Sequence, residues 1–151
     1  MGEILKDPLL DAVLDAFKIS VSHMTGVTIT GDMTDWAKVF NSVLTDFARP
    51  LGVNEYAQCA FGSLVSLRDW RIRGHANNTN ENGLFSLRYL NEFGTWANIK
   101  TGIPGRMVNT WTAWENFSSV VEATAIRITC TTYDVDSDCI AELQVRGIKG
   151  E

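Results

Sequence analysis

The tract GHANNTNENG, from Gly74 to Gly83, divides the chain into two parts with different hydrophobic patterns. Its residues are small, polar or turn-forming, which is typical of a surface loop. Before the tract, apolar side chains recur every three or four positions, whereas after it apolar and polar side chains alternate. The first period is that of a helix and the second that of a strand. The change therefore predicts helices before this loop and strands after it.

Two amphipathic helices are predicted in the first part. Asp7 and Pro8 form a helix start, because aspartate caps free backbone N–H groups and proline is tolerated at the first helical position. Gly26 ends this helix. Its apolar stripe consists of Leu10, Leu14, Phe17, Val21 and Met24. A second helix is predicted from Met33 to the Arg49-Pro50 stop. Its stripe consists of Trp36, Phe40, Val43, Leu44 and Phe47.

The segment between the second helix and the polar loop has a mixed pattern. Asn54 is a candidate helix cap, whereas Gly62 and the apolar residues after it favour a strand. A short helix followed by a strand through Trp70 and Ile72 is therefore predicted.

Alternating segments follow the loop, and each is bounded by turn-forming residues. The predicted strands are Leu84–Leu90, Thr95–Lys100, Met107–Trp114, Val120–Tyr133 and Cys139–Ile148. Consecutive strands joined by short turns pair antiparallel, as a meander. Residues 1–151 are thus predicted to form a single α+β domain, with two N-terminal amphipathic helices packed on a C-terminal antiparallel meander of about five to six strands.

Charge and composition narrow the classes of partner. The chain has 13 basic and 18 acidic residues, a formal charge of −5, which opposes nucleic acid as the main partner. No apolar run approaches the ~20 residues needed to cross a bilayer, so membrane insertion is not predicted. The N-terminus lacks the features of a signal peptide, and three cysteines without CxxC spacing suit a reducing compartment. A cytoplasmic location, or one within an assembled particle, is expected.

No catalytic, metal or cofactor motif is found in the sequence. Two histidines cannot supply a three-histidine zinc site, and neither a GxSxG elbow nor a glycine-rich phosphate loop is present. The nearest candidates for acid–base chemistry are His75, Asp69 and Arg71, which lie close in sequence. Because no nucleophile motif accompanies them, a loop histidine is the favoured interpretation, and neither a metal nor a cofactor is predicted.

Tryptophan and amide side chains predict a binding surface. Trp111 and Trp114 are three positions apart, so on a regular strand they would point to opposite faces, and one of them would leave the core. Aromatic anchors surrounded by polar groups are typical of binding surfaces. Arg106, in the turn GIPGR, could hold an anion. The predicted binding residues are Trp96, Trp111, Trp114, Asn77, Asn78, Asn80, Asn98, Asn109 and Arg106.

Three functions are compatible with these features. The favoured hypothesis is a non-enzymatic assembly or interaction protein, such as a subunit of a virus or phage particle, with another protein or another copy of itself as its partner. The first alternative is a small-molecule-binding or enzymatic domain with a pocket between a curved sheet and the helices, for which Glu92 joins the three acid–base candidates. The second alternative is an acidic inhibitor or immunity-type protein. Its acidic face would consist of Asp11, Asp15, Asp32 and Asp35.

Overall fold

A computed structural model describes residues 18–75, 83–105, 109–133 and 140–149. Strand accounts for 64% of this part of the chain and helix for only 7%, with no helix of seven residues or more, so the fold is all-β. The strands are β1 (Ile19–Ser20), β2 (Thr28–Gly31), β3 (Tyr56–Gly74), β4 (Leu84–Asn91), β5 (Trp96–Pro104), β6 (Glu115–Thr132) and β7 (Ile140–Lys149). Two 3-10 turns, Val21–His23 and Trp36–Phe40, are the helical elements of the described ranges.

Strands β3 and β6 are long enough that they must bend. A straight strand of 19 residues would extend about 60 Å, well beyond the diameter of a domain of this size. The bend is a bulge: Ala60 pairs with Ala125 and Val65 with Ala123, so four residues of β3 face a single residue of β6. Gly62 occupies the bulge with a φ of +73°, a left-handed conformation that favours glycine.

The bend divides one hydrogen-bonded sheet, of strand order β1-β7-β3-β6-β4-β5, into two packed layers. In the first layer, the start of β3 pairs with β2 on one side and with the end of β6 on the other, and β6 continues to β4 and β5. In the second layer, the end of β3 lies between β7 and the start of β6, and β1 flanks β7. The result is a β-sandwich.

Side chains from both layers form a single hydrophobic core. The first layer contributes Phe85, Leu87, Ile126 and Ile128, and the second contributes Leu67, Ile72, Leu143 and Val145; all are almost completely buried. Alternate residues of the same strands point outward, as the two-residue period of a strand requires. Each layer therefore presents an outer face on which polar and aromatic side chains can gather.

Neither of the two predicted helices is found in the part of the chain that the structure describes. Residues 1–17 lie outside the described residues, and the rest of the first prediction forms β1 and a 3-10 turn. The second shrinks to Trp36–Phe40, because Asp35 and Ser42 adopt left-handed φ angles of 59° and 63° that interrupt a helix on both sides. The apolar spacing marked burial only in part, since Val21, Met24 and Phe40 enter the core but Val43 is 45% exposed. The α+β prediction is wrong because these segments bury apolar side chains without forming helices.

The predicted meander is also wrong. Strand β3 was expected to begin as a short helix, yet it runs unbroken from Tyr56 to Gly74 and lies at the centre of the sheet. Within the described ranges, β2–β3 and β4–β5 are the neighbouring pairs that are also consecutive in sequence. Of the predicted strand Met107–Trp114, the described residues 109–114 form an isolated bridge between Trp111 and Arg73 instead of a strand. No helix in the described part of the chain is long and apolar enough to cross a membrane.

Candidate functional site

A cleft of about 240 Å³ opens between the β4–β5 hairpin and the first half of β6. It lies at the edge of the sandwich, where the core residues Tyr89, Ile99, Phe117 and Val121 are only partly covered. The residues that line it are Trp70, Tyr89, Asn98, Ile99, Glu115, Asn116, Phe117, Ser118, Ser119 and Val121. The cleft thus combines aromatic walls with a rim of amide, hydroxyl and carboxylate groups.

The rim groups are open to solvent and can form hydrogen bonds with a ligand. Asn98 and Asn116 are exposed, and each side-chain amide offers both donors and acceptors. Glu115 forms an ion pair with Lys100 of β5, with 3.3 Å between Nζ and Oε1, and both side chains are about half exposed. Trp70 closes the inner wall and is 4% exposed. Aromatic walls with a few polar groups at the rim are typical of small-molecule sites.

A second cluster, on the outer face of the second layer, is built around Trp114. The guanidinium carbon of Arg146 lies 3.6 Å from the centre of the Trp114 ring, and that of Arg71 lies 4.5 Å away. Arg71 also lies 4.1 Å from the Trp111 ring. Both tryptophans therefore contact the same arginine. The expectation that they point to opposite faces is wrong, because residues 112–114 are not in a regular strand.

Asp69 neutralises part of this positive cluster. Its carboxylate accepts hydrogen bonds from Arg146 at 2.6 and 2.7 Å and from Lys18 at 3.0 Å, and the side chain is 2% exposed. Burial alone would raise the pKa of Asp69, but the two basic partners hold the pKa below its usual value. Burial and the charge of Arg146 lower the pKa of Arg71, whose Nε donates to Gln144 at 2.8 Å. The charged side chains of this second cluster therefore bind to partners within the cluster itself.

A third cluster lies on the outer face of the first layer. The guanidinium carbon of Arg127 is 4.0 Å from the centre of the Tyr56 ring and 4.3 Å from that of Trp96. Its Nε and Nη2 both donate to Oε1 of Gln58, at 2.9 and 2.6 Å. Arg88 of β4 pairs directly with Arg127 of β6, so two positive side chains lie opposite each other on this face.

The loop before β3 covers a buried carboxylic acid of β7. Glu142 is 1% exposed, and its Oε2 accepts a hydrogen bond from the backbone N–H of Ser42 at 3.0 Å. Burial raises the pKa of Glu142 to about 8, an effect that the nearby Asp46 strengthens and the Ser42 hydrogen bond opposes. The Ser42 hydroxyl lies 3.0 Å from Nε2 of His23. In the described residues, no group of three or more histidine, cysteine, aspartate or glutamate side chains is placed to hold a metal ion.

The predicted binding residues are distributed over several places. Asn98 lines the cleft, Trp96 belongs to the third cluster, and Trp111 and Trp114 belong to the second. Asn109 is exposed shortly before Trp111 and adopts a left-handed φ of 50°. Asn77, Asn78, Asn80 and Arg106 lie outside the described residues.

The weak catalytic candidates separate into two groups. Asp69 and Arg71 share the outer face of the second layer with Arg146. His75 instead stacks on Phe47, with 4.5 Å between the ring centres, and its Nε2 lies 3.2 Å from the Thr45 carbonyl oxygen. His75 thus contacts the loop that precedes β3, whereas Asp69 contacts Arg146 and Lys18.

Sequence reasoning did not identify Tyr89, Phe117 and Arg127 as candidate site residues. Tyr89 and Phe117 come from strands far apart in sequence, and the bend in β6 brings them to one cleft. The one available signal was the dipeptide Asn116-Phe117 beside the tryptophan-rich segment. Arg127 follows the strand alternation and so resembles any outward-facing residue.

No family model and no curated protein match this chain. Solved structures do match its fold. The family 32 carbohydrate-binding module of NanJ from C. perfringens, solved with galactose, superposes with a TM-score of 0.65 and 14% identity, covering 85% of this chain and 98% of that one. The family 32 module of AlyQ in complex with 4,5-unsaturated mannuronic acid superposes with a TM-score of 0.63 and 16% identity, covering 78% of this chain and 92% of that one. The family 32 module of EndoD from Streptococcus pneumoniae superposes with a TM-score of 0.59 and 15% identity, covering 80% of this chain and 94% of that one. At these identities the likeness establishes the fold.

These neighbours overturn the functional hypotheses drawn from the sequence. They are carbohydrate-binding modules, which contradicts the hypothesis that the chain is a subunit of a virus or phage particle. It also contradicts the prediction that its partner is a protein or another copy of itself. The alternative of a pocket between sheet and helices fails because the described fold has no such helices. The acidic-inhibitor alternative does not match these neighbours either. The error arose because the helical interpretation of the first part of the chain concealed the sandwich.

Proposed function

We propose that this chain is a carbohydrate-binding module whose edge cleft holds one sugar ring. The observation that carries the proposal is the pairing of partly exposed aromatic walls, Tyr89 and Phe117, with the exposed amides of Asn98 and Asn116. A sugar has apolar C–H faces that pack on aromatic rings and hydroxyl groups that need donors and acceptors around them. The shared fold with modules that bind sugars supports the same assignment.

The size of the cleft favours a single ring. Its volume of about 240 Å³ is below the range of about 300–1,000 Å³ that is typical of drug-sized ligands. A ligand of this size with few buried apolar contacts binds weakly, with an expected Kd of about 0.1–5 mM. Useful affinity for a polysaccharide would then come from several sugar units or from linkage to other binding units.

The test is a titration of the amide NMR spectrum with galactose, mannose and N-acetylglucosamine. A binding sugar is expected to shift the amide signals of Asn98 and of residues 116–121 in a saturable way. Phe117→Ala and Asn116→Ala should each weaken binding about three- to tenfold, through lost stacking and one lost hydrogen bond.

Two controls belong to the same strands. Val120 is 70% exposed on β6 and Thr101 is exposed on β5, and neither lines the cleft. Val120→Ala and Thr101→Ala should leave sugar affinity unchanged. Absence of saturable shifts for every sugar, at concentrations tenfold above the expected Kd, would disprove the proposal, as would shifts confined to residues away from the cleft.

A further inference from the structure

The outer face of the first layer places two arginines opposite each other, and no carboxylate of the described residues forms an ion pair with either of them. Arg88 and Arg127 are directly paired across β4 and β6, which puts their Cβ atoms about 4.5–5.5 Å apart. No ion pair of either side chain occurs within residues 18–75, 83–105, 109–133 and 140–149. Like charges in directly opposite positions destabilise a sheet. The arrangement therefore has a cost in stability that a ligand of opposite charge would offset.

The hydrogen-bonding capacity of this pair is also incompletely used. The Nε atom of Arg88 is buried and has no hydrogen-bond partner among the described residues. Arg127 donates to a neutral acceptor, the amide of Gln58, rather than to a carboxylate. Asp32 lies near enough to favour the charged form of Arg127, but its Oδ1 accepts from the backbone N–H of Tyr56 at 2.7 Å. An unpaired charged donor is more costly than a neutral one, so an oxyanion would be favourable here.

Aromatic and amide groups surround the two charges. The rings of Tyr56 and Trp96 both contact the Arg127 guanidinium, which lowers the freedom of that side chain. In sheet register, Gln58 pairs with Arg127, Arg127 with Arg88, and Arg88 with Asn98, so one row crosses four strands. We call Gln58, Arg127, Arg88 and Asn98 the arginine row. It offers amide, guanidinium, guanidinium and amide groups in order, beside two rings.

We propose that the arginine row is a second saccharide site, which binds the carboxylate or sulfate group of an acidic sugar between Arg88 and Arg127. The chain as a whole carries a charge of −5, so a concentrated positive row selects an anionic ligand rather than reflecting a generally basic surface. The flanking amides and rings suit the hydroxyls and C–H faces of the same sugar. The choice of a saccharide rests on the proposed function, whereas the choice of an oxyanion rests on the two arginines.

Charge distinguishes this site from the cleft, although Asn98 belongs to both. The probes are trigalacturonate, its fully methyl-esterified form, which has no charge, and a 6-sulfated galactose disaccharide, each titrated by calorimetry. Trigalacturonate or the sulfated disaccharide should bind at least tenfold more tightly than the ester, and the affinity should fall as salt is added. Binding of only one of the two acidic probes would identify the group that the site accepts.

The variants are Arg88→Gln and Arg127→Gln, with Arg71→Gln as a matched control. Like Arg127, Arg71 is stacked on aromatic rings and donates a hydrogen bond to a glutamine. It differs in lying on the other layer, close to the ion-paired carboxylate of Asp69. Loss of one charge-assisted contact should weaken acidic probes by about 10- to 100-fold, while the control should bind them normally. Because Arg88→Gln removes a like-charge contact, its Tm should stay level or rise by about 1–3 °C, so lost binding would not reflect unfolding.

Three results would overturn the proposal: equal binding of the ester, unchanged binding by Arg88→Gln, or an equal loss in Arg71→Gln. Should Arg127→Gln fail to fold, Arg88→Gln alone decides. The outcome is separable from that of the cleft. Phe117→Ala should weaken neutral sugars about three- to tenfold and leave the acidic probes unchanged. If the native protein binds the acidic probes but no neutral sugar, the cleft assignment fails and the arginine row stands.

Discussion

Asp69 and Arg146 lie directly opposite each other on β3 and β7 and form a two-point ion pair, with Nε–Oδ1 at 2.7 Å and Nη2–Oδ2 at 2.6 Å. The carboxylate is 2% exposed and also accepts from Lys18. Asp69→Asn is expected to lower the free energy of unfolding by about 1.5–3 kcal/mol, because Arg146 and Lys18, which are 32% and 15% exposed, lose their charge-assisted hydrogen bonds to a buried carboxylate. Urea denaturation at pH 7 measures the change.

The control for this pair is Glu115→Gln, which breaks the exposed ion pair with Lys100. Both of its side chains are about half exposed, so the change should stay below about 1 kcal/mol. Because the folded-state pKa of Asp69 is lowered, its contribution is present above the pKa of the unfolded chain and is lost as the pH falls through the folded-state pKa. Similar effects of the two substitutions at pH 7 would contradict the structural role of Asp69.

Gly62 in the bulge of β3 is expected to be more sensitive to substitution than Gly94, a glycine with a similar backbone conformation. Its φ is +73°, and a Cβ there would lie 2.8 Å from the carbonyl oxygen of Gly26. Gly94 has a φ of +81° with no atom within 4 Å of the same position. Gly94→Ala should cost about 1–2 kcal/mol for the left-handed backbone alone, and Gly62→Ala at least 1 kcal/mol more.

Thermal unfolding of the two glycine variants, followed by circular dichroism, measures the difference. Equal loss of stability would mean that the close approach between the bulge and Gly26 does not contribute.

Glu142 is expected to make the protein less stable as the pH rises. Its folded-state pKa of about 8 lies above the ordinary value of 4.5, so between these values the unfolded chain releases its proton first. The free energy of unfolding should therefore fall with pH over this window, by at most about 1.4 kcal/mol per pH unit from this group, and level off above pH 8. Glu142→Gln should flatten the slope, because a neutral amide cannot ionise.

The measurement is urea denaturation at pH 5, 6.5 and 8 for both proteins. An unchanged slope in Glu142→Gln would show that another group causes it. Glu55→Gln serves as the control, since Glu55 lies in the exposed turn before β3 and hydrogen-bonds the backbone N–H of Leu51.

The thiol of Cys59 is expected to resist alkylation in the folded protein. Its side chain is completely buried, and burial raises the pKa of the thiol to about 12, so the reactive thiolate is scarce at pH 8. Iodoacetamide labelling followed by peptide mass mapping should find Cys59 unmodified in buffer and modified in urea. Rapid labelling in buffer would contradict the burial of the core side of β3.

The sequence predicted the second part of the fold better than the first. The segments Leu84–Leu90, Thr95–Lys100, Val120–Tyr133 and Cys139–Ile148 each overlap an observed strand, because regular alternation on a half-buried strand is a local signal. The turn of the β4–β5 hairpin is local too. The Asn91 side chain accepts hydrogen bonds from the backbone N–H groups of Phe93 and Thr95.

The structure of the first part of the chain was predicted wrongly because apolar residues that recur every three or four positions can be buried without forming a helix. Val21, Met24 and Phe40 are buried as their spacing indicated, yet their segments are not helices of more than a single 3-10 turn. Strand β3 shows the reverse error. Asn54 was interpreted as the cap of a short helix, but the residues from Ala57 to Phe61 alternate and belong to β3. Asn54 itself has a left-handed φ of 72°.

By itself, the sequence determined which side chains are apolar enough to be buried, where alternation forms strands, and that amide and aromatic residues gather after residue 95. Tertiary structure alone decided the strand order, the bend in β3 and β6, and hence the meeting of Tyr89 with Phe117 and of Arg88 with Arg127. The physical reason is that alternation specifies the face on which a side chain lies. Register between strands distant in sequence arises only when two sheets pack around a shared core.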